Sequence, residues 1–553
     1  MKRAVLLGFD FGTLSCRLTA INAASGEIIL ECEDKYLHGV ISDVLPDGET
    51  ELNAGWNLQD ADDYIKTLFN LIRAATQKVN ASEIIAIGIG FTNCTLVSLG
   101  ADGRPLSSMD EFQNNPYAWT KLWKHHAAQP YAERIERALG LFDYELYCDC
   151  GQVVSSEWLF PKVLQIFEEA PDVYAHTDLF LEAADYITYF LTGNLVRNEA
   201  TLGLNAFYNP RKGFPSEDFF NSISPGWGKS IFHKMRGKIL PVGSRAGYVS
   251  KEIAGLTGLR QDVVVAVGHG DSEITAAGLG ITAPESMIMV MGTSTCFQVL
   301  TNSDARIRGV SKIHGGMIPG LFAFESGQPS TGDTLSWFSE NMLPASYFIE
   351  AEQQNISSLE YITGLAQAMK PGECGLVSLD WFNGNRSILM DYSLRGLIAG
   401  LSLDTTPQQI FRAFVEAMAF GAKKIFNSHL EAGMDIVKTY AVGGIPLKNK
   451  MMMQIYSDIL NREIYIPIIS NTSSSGACIC ASVALKNPIG TRSAFEAEGK
   501  RLVDYDLLTY SPDPRAVSIY EKLFDVYSCL HDSLGRASSI FARLSEIQKL
   551  SCG

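Results

Sequence analysis

Asp10 ends an apolar run, Val5-Leu6-Leu7-Gly8-Phe9, and is followed at once by Phe11-Gly12-Thr13-Leu14-Ser15-Cys16. A second phrase of the same kind, Met289-Val290-Met291-Gly292-Thr293-Ser294-Thr295-Cys296, lies far along the chain. Each reads as a strand that breaks at Gly-Thr and resumes as a second strand, 17–21 and 297–300, a β-hairpin with a small-residue turn. Such a turn can offer backbone N–H groups and a hydroxyl to phosphate oxygens, and its glycine lets main chain approach a ligand closely. A carboxylate at position 10 suits Mg²⁺ held through its waters, or it bonds its own turn. Arg17 is near enough to reach a terminal phosphate, or is a surface charge. Asp271 lies where a strand, 263–267, runs into Gly268-His269-Gly270-Asp271. Strand ends are where α/β proteins hold ligands. A carboxylate there can take the proton of a hydroxyl attacking a phosphoryl group, a transfer governed by positioning and charge neutralisation. A loop-capping Asp would give the same letters.

The elements that must position these groups follow from periodicity. Strands are expected within 4–29 and 84–99, with a helix over 61–79 between them whose apolar residues are Tyr64, Leu68, Leu71, Ile72 and Ala75. Strands, helix, strand opens an α/β domain. The stretch 111–260 is less regular, with helices expected at 158–170 and 181–191 and aromatic-rich loop at 214–227. The second half repeats the strand-first layout. It holds a long helix from Thr406-Pro407 to Gly433 with Thr as N-cap and Pro in the first turn. Glu416 and Lys423 on it read as a solvated face. A strand, 438–442, then meets Gly443-Gly444-Ile445-Pro446-Leu447-Lys448-Asn449 and a helix over 451–460, so that a nucleotide could lie against the glycines. The tail, 516–549, reads as one helix packing back on the body.

Bulk properties bound the reading. At 553 residues the chain fits two large domains. A net charge of −16 argues against sequence-independent nucleic-acid binding, which draws on a basic excess. No apolar run is long enough to span a bilayer, no membrane partner is expected, and the opening reads as the first strand of a cytoplasmic protein. The 11 cysteines are odd in number and scattered, including Cys148/Cys150 and Cys478/Cys480, which suits reduced buried thiols better than zinc.

Six segments carry a resemblance to a known family. They are Gly8-Phe9-Asp10-Phe11-Gly12-Thr13-Leu14-Ser15, Phe91-Thr92-Asn93-Cys94-Thr95, Ala118-Trp119-Thr120-Lys121-Leu122-Trp123-Lys124-His125-His126-Ala127-Ala128-Gln129, Met291-Gly292-Thr293-Ser294-Thr295-Cys296, Leu379-Asp380-Trp381-Phe382-Asn383-Gly384-Asn385-Arg386, and Gly443-Gly444-Ile445-Pro446. Over essentially its full length the chain resembles the FGGY family of carbohydrate kinases, in particular its ribulose-phosphorylating branch. The resemblance implies an α/β actin/hexokinase-like fold of two ribonuclease-H-like domains with a cleft between them. The expected boundaries are 1–266 for the sugar-binding domain, 267–510 for the nucleotide-binding domain and 511–553 for the C-terminal helix. It implies ATP and Mg²⁺ as cofactors and a ketopentose acceptor, ribulose first, with xylulose, ribitol or erythritol as alternatives; a homodimer is compatible with it.

By position, the resemblance makes Asp271 the catalytic base and Asp10 the metal organiser. Gly12, Thr13, Arg17, Gly292, Thr293 and Gly332 fall at the phosphates, and Gly443, Gly444 and Asn449 in the adenosine loop. Asn93, Lys121, Trp123, Asn205, Asp271 and Glu325 fall on the sugar side. The chain departs from ribulose kinases at Asn205, where they carry lysine, and at Glu273, where they carry histidine. Gly90 and Phe297 stand where they carry Asp and His. Losing a cationic donor at 205 leaves a different set of hydroxyls paired. An unpaired buried polar group costs about 1–3 kcal/mol, so the sugar pocket is expected to be altered while the phosphate machinery is kept. An actin-like ATPase would share the hairpins and the Gly-Gly loop, but it needs no polyol pocket of the kind Glu325, Trp123 and the 121–126 run suggest.

Overall fold

The computed structural model describes residues 4–536 and 539–552. The chain forms two compact units. The first is Met1–Pro284, Lys312–Ala323 and Ile469–Asp504; the second is Glu285–Ser311, Phe324–Ile468 and Tyr505–Gly553.

In the first unit, β1 (Val5–Phe11), β2 (Ser15–Asn22) and β3 (Ile28–Lys35) form an antiparallel meander. β4 (Ile84–Phe91) runs parallel to β1 on its other side. β5 (Arg245–Tyr248) and β6 (Val264–Ala266) extend the sheet, and β7 (His269–Gly270) pairs with the end of β4. The order is β5-β6-β4-β1-β2-β3. Every residue of β1 is buried, as a strand covered on both faces requires. Helix Ala61–Lys78 supplies one cover through Tyr64, Leu68, Leu71, Ile72 and Ala75, the residues its period singled out. Helix Thr472–Lys486 supplies the other, and its backbone touches the sheet. Gly8 and Gly88 are register partners on β1 and β4. A Cβ on Gly8 would stand 2.0 Å from the Ser474 carbonyl oxygen, and one on Gly88 would stand 1.9 Å from that of Ala477. Only glycine permits this approach.

The second unit repeats the plan. β8 (Ser286–Met291) and β9 (Thr295–Thr301) form a hairpin, with β10 (Phe322–Gln328) beside β9. β11 (Lys438–Val442) runs parallel to β8, followed outward by β12 (Ile464–Pro467) and β13 (Leu507–Tyr510). In both units the strand before the Gly-Thr turn is therefore flanked by a hairpin partner and a parallel partner.

Four expectations are corrected. The middle region is more helical than its sequence suggested: Gln129–Phe142 is a helix, and Glu217–Ile223 forms another inside the expected aromatic loop, capped by the Ser216 side chain. The tail is two helices, Pro514–Gly535 and Ile540–Cys552, the first stopping at a glycine, a poor helix former. Glu416 and Lys423 are buried in the second unit. Glu416 accepts from Arg412 at 2.7 Å and from the Tyr520 hydroxyl at 2.9 Å, while Lys423 Nζ meets Glu521 at 2.7 Å. Charged side chains go inside only when so paired, and those partners come mostly from the Pro514–Gly535 helix, remote in sequence.

Candidate active site

The first hairpin is closed by Gly12 N–H donating to the Ser15 carbonyl at 2.9 Å. Gln59 Nε2 donates to the Thr13 carbonyl at 2.7 Å, and Trp123 Nε1 donates to Thr13 Oγ1 at 3.1 Å. With one lone pair taken, the Thr13 hydroxyl keeps its proton for an outside acceptor. Arg17 lies directly opposite Asp10 in the β1–β2 register. Its guanidinium stands 3.7 Å from Asp10 Oδ2 and 3.4 Å from Glu33 Oε1. Glu33 also accepts from the Ser15 hydroxyl at 2.5 Å.

Asp10 is buried, and its Oδ1 has no hydrogen-bond partner. Burial, and next the nearby Asp271 carboxylate, push its carboxyl up to about 7 against the pull of Arg17. Two carboxylates meet here because β7 joins the sheet next to β4: Asp271 N–H donates to the Phe91 carbonyl at 2.8 Å. The Asp271 carboxylate accepts from Ser272 N–H at 2.8 Å, and its carbonyl accepts from the Ser473 hydroxyl at 2.9 Å. A buried carboxylate oxygen without a donor, with a second carboxylate near enough to raise its pKa, fits a hydrated divalent cation. Before Asp271, a Cβ on Gly270 would meet Glu273 Oε2 at 2.0 Å and Asn93 Nδ2 at 2.3 Å. Asn93 and Glu273 thus close over the residue that precedes the candidate base, and Asn93 Nδ2 is buried without a partner.

The other sugar-side candidates sit at different depths. Trp123 is 37% exposed. Lys121 is fully enclosed, its Nζ donating to the Tyr117 carbonyl at 3.0 Å and lying over the rings of Trp56 and Tyr117. Burial, with Lys162 nearby, pushes its pKa down to about 7. His125 is buried and bonds Gln165 at 3.0 Å, whereas His126 meets Glu157 at the surface. Asn205 is buried and donates to Glu182 Oε1 at 2.8 Å. Glu182 and Lys162 went unnoticed in the sequence, although a single charge inside Phe180-Leu181-Glu182-Ala183 or Phe160-Pro161-Lys162-Val163 was the available signal.

In the second unit, Gly292 N–H closes its hairpin on the Ser294 carbonyl at 2.9 Å, one residue tighter than the Gly12 closure. The turn packs on the start of helix Gly332–Asn341: Thr331 N–H donates to the Thr293 carbonyl at 2.7 Å and Gly332 N–H to the Gly292 carbonyl at 3.1 Å. Gly443 has φ 106° and lies against the Met291 carbonyl, which brings the Gly-Gly turn beside the same hairpin. Gly444 starts a short helix and has open space where a side chain would stand. Asn449 caps helix Lys450–Leu460 by accepting from Met452 N–H at 3.0 Å. Glu325 is held by Arg386 at 2.7 Å.

Ten cysteines, from Cys16 to Cys529, are free thiols. No helix among the described residues is long and apolar enough to cross a membrane.

Residues 5–278 match the N-terminal domain of the FGGY family of carbohydrate kinases, and residues 287–485 match its C-terminal domain. A ribulokinase of Anoxybacillus flavithermus is 39% identical over 542 residues, covering 98% of this chain and 96% of that protein. A ribulokinase of Mycolicibacterium smegmatis is 36% identical over 543 residues, covering 98% and 95%. Among solved structures, a ligand-bound xylulose kinase from Lactobacillus acidophilus superposes with a TM-score of 0.81 at 17% identity, covering 97% of this chain and 100% of that one. A Plasmodium falciparum glycerol kinase with ADP gives 0.75 at 15% identity, covering 96% and 98%. These structures establish the actin/hexokinase-like α/β fold. With both domains matched and near full-length relatives above 30% identity, the chain belongs to the FGGY family of carbohydrate kinases and transfers phosphate to a carbohydrate acceptor.

Proposed function

We propose that the chain phosphorylates a ketopentose, ribulose first, at the expense of ATP. The observation that carries this reading is 39% identity over 98% of the chain to a protein that is itself a ribulokinase. Asp271 is the general base: its carboxylate takes the proton of the attacking sugar hydroxyl as that oxygen bonds the γ-phosphorus. The bond from γ-phosphorus to the bridging oxygen breaks, and ADP leaves. Thr13 donates its hydroxyl to a phosphate oxygen, and the N–H groups of the two Gly-Thr turns add further donors. Gly443, Gly444 and Asn449 bound the nucleoside. The family resemblance assigns Asn93, Lys121, Trp123, Asn205 and Glu325 to the acceptor, Lys121 and Asn205 being buried side chains that shape its surroundings. Asp10 would hold Mg²⁺ through water, which when bound neutralises charge on the phosphates. The reaction is assigned to the cytoplasm.

The departures at Asn205 and Glu273 favour a second reading, the same phosphoryl transfer to another ketopentose or polyol such as xylulose, ribitol or erythritol. ADP release measured with Mg²⁺ across ketopentoses, pentitols and tetritols decides between the two. Ribulose is expected to lead by at least tenfold, and a different leader would transfer the assignment to that sugar. Asp271→Ala should abolish sugar-dependent turnover; unchanged turnover would remove Asp271 from the base role.

A further inference from the structure

Cys94 has φ 59°, a left-handed conformation that a residue with a Cβ adopts at a cost unless its surroundings enforce it. It lies between Asn93 and Thr95, and three buried side chains hold it there. Lys162 Nζ donates to the Cys94 carbonyl at 2.5 Å, Asn205 Nδ2 reaches Cys94 Sγ at 3.6 Å, and Glu182 Oε2 accepts from Thr95 N–H at 3.2 Å. Lys162 stands on helix Leu159–Glu169 and is fully buried. Its second bond goes to the Leu122 carbonyl at 2.9 Å. Taking an ammonium out of water is costly unless it is paired and hydrogen-bonded, and here the protons go to two main-chain carbonyls with the Glu182 carboxyl nearby.

The two carbonyls belong to the two acceptor-side segments. The turn around Cys94 carries Asn93, whose amide stands over Gly270 beside the candidate base. The strip at Leu122 carries Trp123, whose indole reaches Thr13. The same helix anchors that strip twice more, through Gln165 to His125 at 3.0 Å and through Glu169 to the Tyr117 hydroxyl at 2.8 Å.

We propose that Lys162 is a positioning residue for the sugar acceptor: it holds the Asn93–Cys94 turn in its left-handed form and ties it to the Trp123 strip. Lys162 does so without touching substrate. This rests on the kinase reading above, and the two fail separately. Wild type without sugar-dependent ADP release would end the kinase reading, whereas a working wild type with an indifferent Lys162 variant ends only the inference.

The test is Lys162→Met, of similar length and without the donor, in the full-length protein with ribulose and ATP varied separately. The expected result is a sugar KM raised at least tenfold with the KM for ATP within twofold. A sugar KM within twofold of wild type, or an equal rise in both KM values, would overturn it. If Lys162→Met does not fold, Glu182→Gln carries the test, because the amide can no longer accept from both Thr95 and Asn205. The same split is expected, and an unchanged sugar KM in that variant would be equally fatal.

Discussion

The Trp123 indole donates to the Thr13 hydroxyl at 3.1 Å, so an aromatic residue remote in sequence sets the orientation of a hydroxyl in the first Gly-Thr turn. The bond assigns the Thr13 proton outward, toward an incoming oxygen. Trp123→Phe keeps a ring and removes the donor, which lets the hydroxyl rotate. The KM for ATP should rise about three- to tenfold, in line with one neutral hydrogen bond of about 1 kcal/mol. Steady-state kinetics at saturating sugar reads this directly, and an unchanged KM for ATP would show that Thr13 needs no such guidance.

Asp10 gives a pH signature. Its carboxyl is raised from 3.8 to about 7, chiefly by burial, so between those values the unfolded chain has released a proton that the fold retains. Its contribution to stability is therefore largest at acid pH, declines as pH rises through 4–7 and is flat above 7. The whole decline is at most roughly 4 kcal/mol. Melting temperatures of wild type and Asp10→Asn from pH 5 to 9 should converge at low pH and separate in favour of Asn above 7. Parallel curves would mean that the carboxylate is already ionised in the folded protein.

Selectivity should follow residue 205. Asn205 spends its amide on Glu182, and its Oδ1 is buried without a partner. Asn205→Lys places a cation beside Glu182, whose carboxyl burial pushes up to about 8. The ratio of kcat/KM between ribulose and the pentitols should move by roughly ten- to a hundredfold, with the KM for ATP unchanged. A ratio that stays fixed would put the discrimination elsewhere.

The sheet's rear cover makes a stability prediction. Gly88→Ala drives a methyl into the Ala477 carbonyl of helix Thr472–Lys486, and main chain cannot swing aside. The loss should reach or exceed the upper end of about 1–3 kcal/mol. Gly255→Ala, on helix Lys251–Thr257 with open space at the Cβ position, should instead stabilise by about 0.5–1 kcal/mol. Denaturant midpoints of the two variants should move in opposite directions.

Much of this was legible in advance where the signal is local. The Gly-Thr turns, the 61–78 helix and the strand running toward Asp271 depend on residues close together in sequence, and the structure contains each of them. What escaped depends on partners far apart. Arg412 lies one turn from Glu416, but nothing near Glu416 or Lys423 announces Tyr520 or Glu521, so a buried ion-paired face looks the same as a solvated one. Nothing near Gly8 announces Ser474. Lys162 and Glu182 were visible only as charges out of place, and their meaning lies in a left-handed turn that no periodicity reports.

The assembly of the first unit from three stretches of chain has a consequence for synthesis. Strands β1 and β4 are made early, but the helix that covers Gly8 and Gly88 ends at Lys486. At about 5–20 residues per second, roughly 20 to 80 s separate the emergence of β4 from that of its cover. During that interval the sheet face that carries Gly8, Thr19 and Gly88 has no native partner on the ribosome, a surface that the finished protein hides.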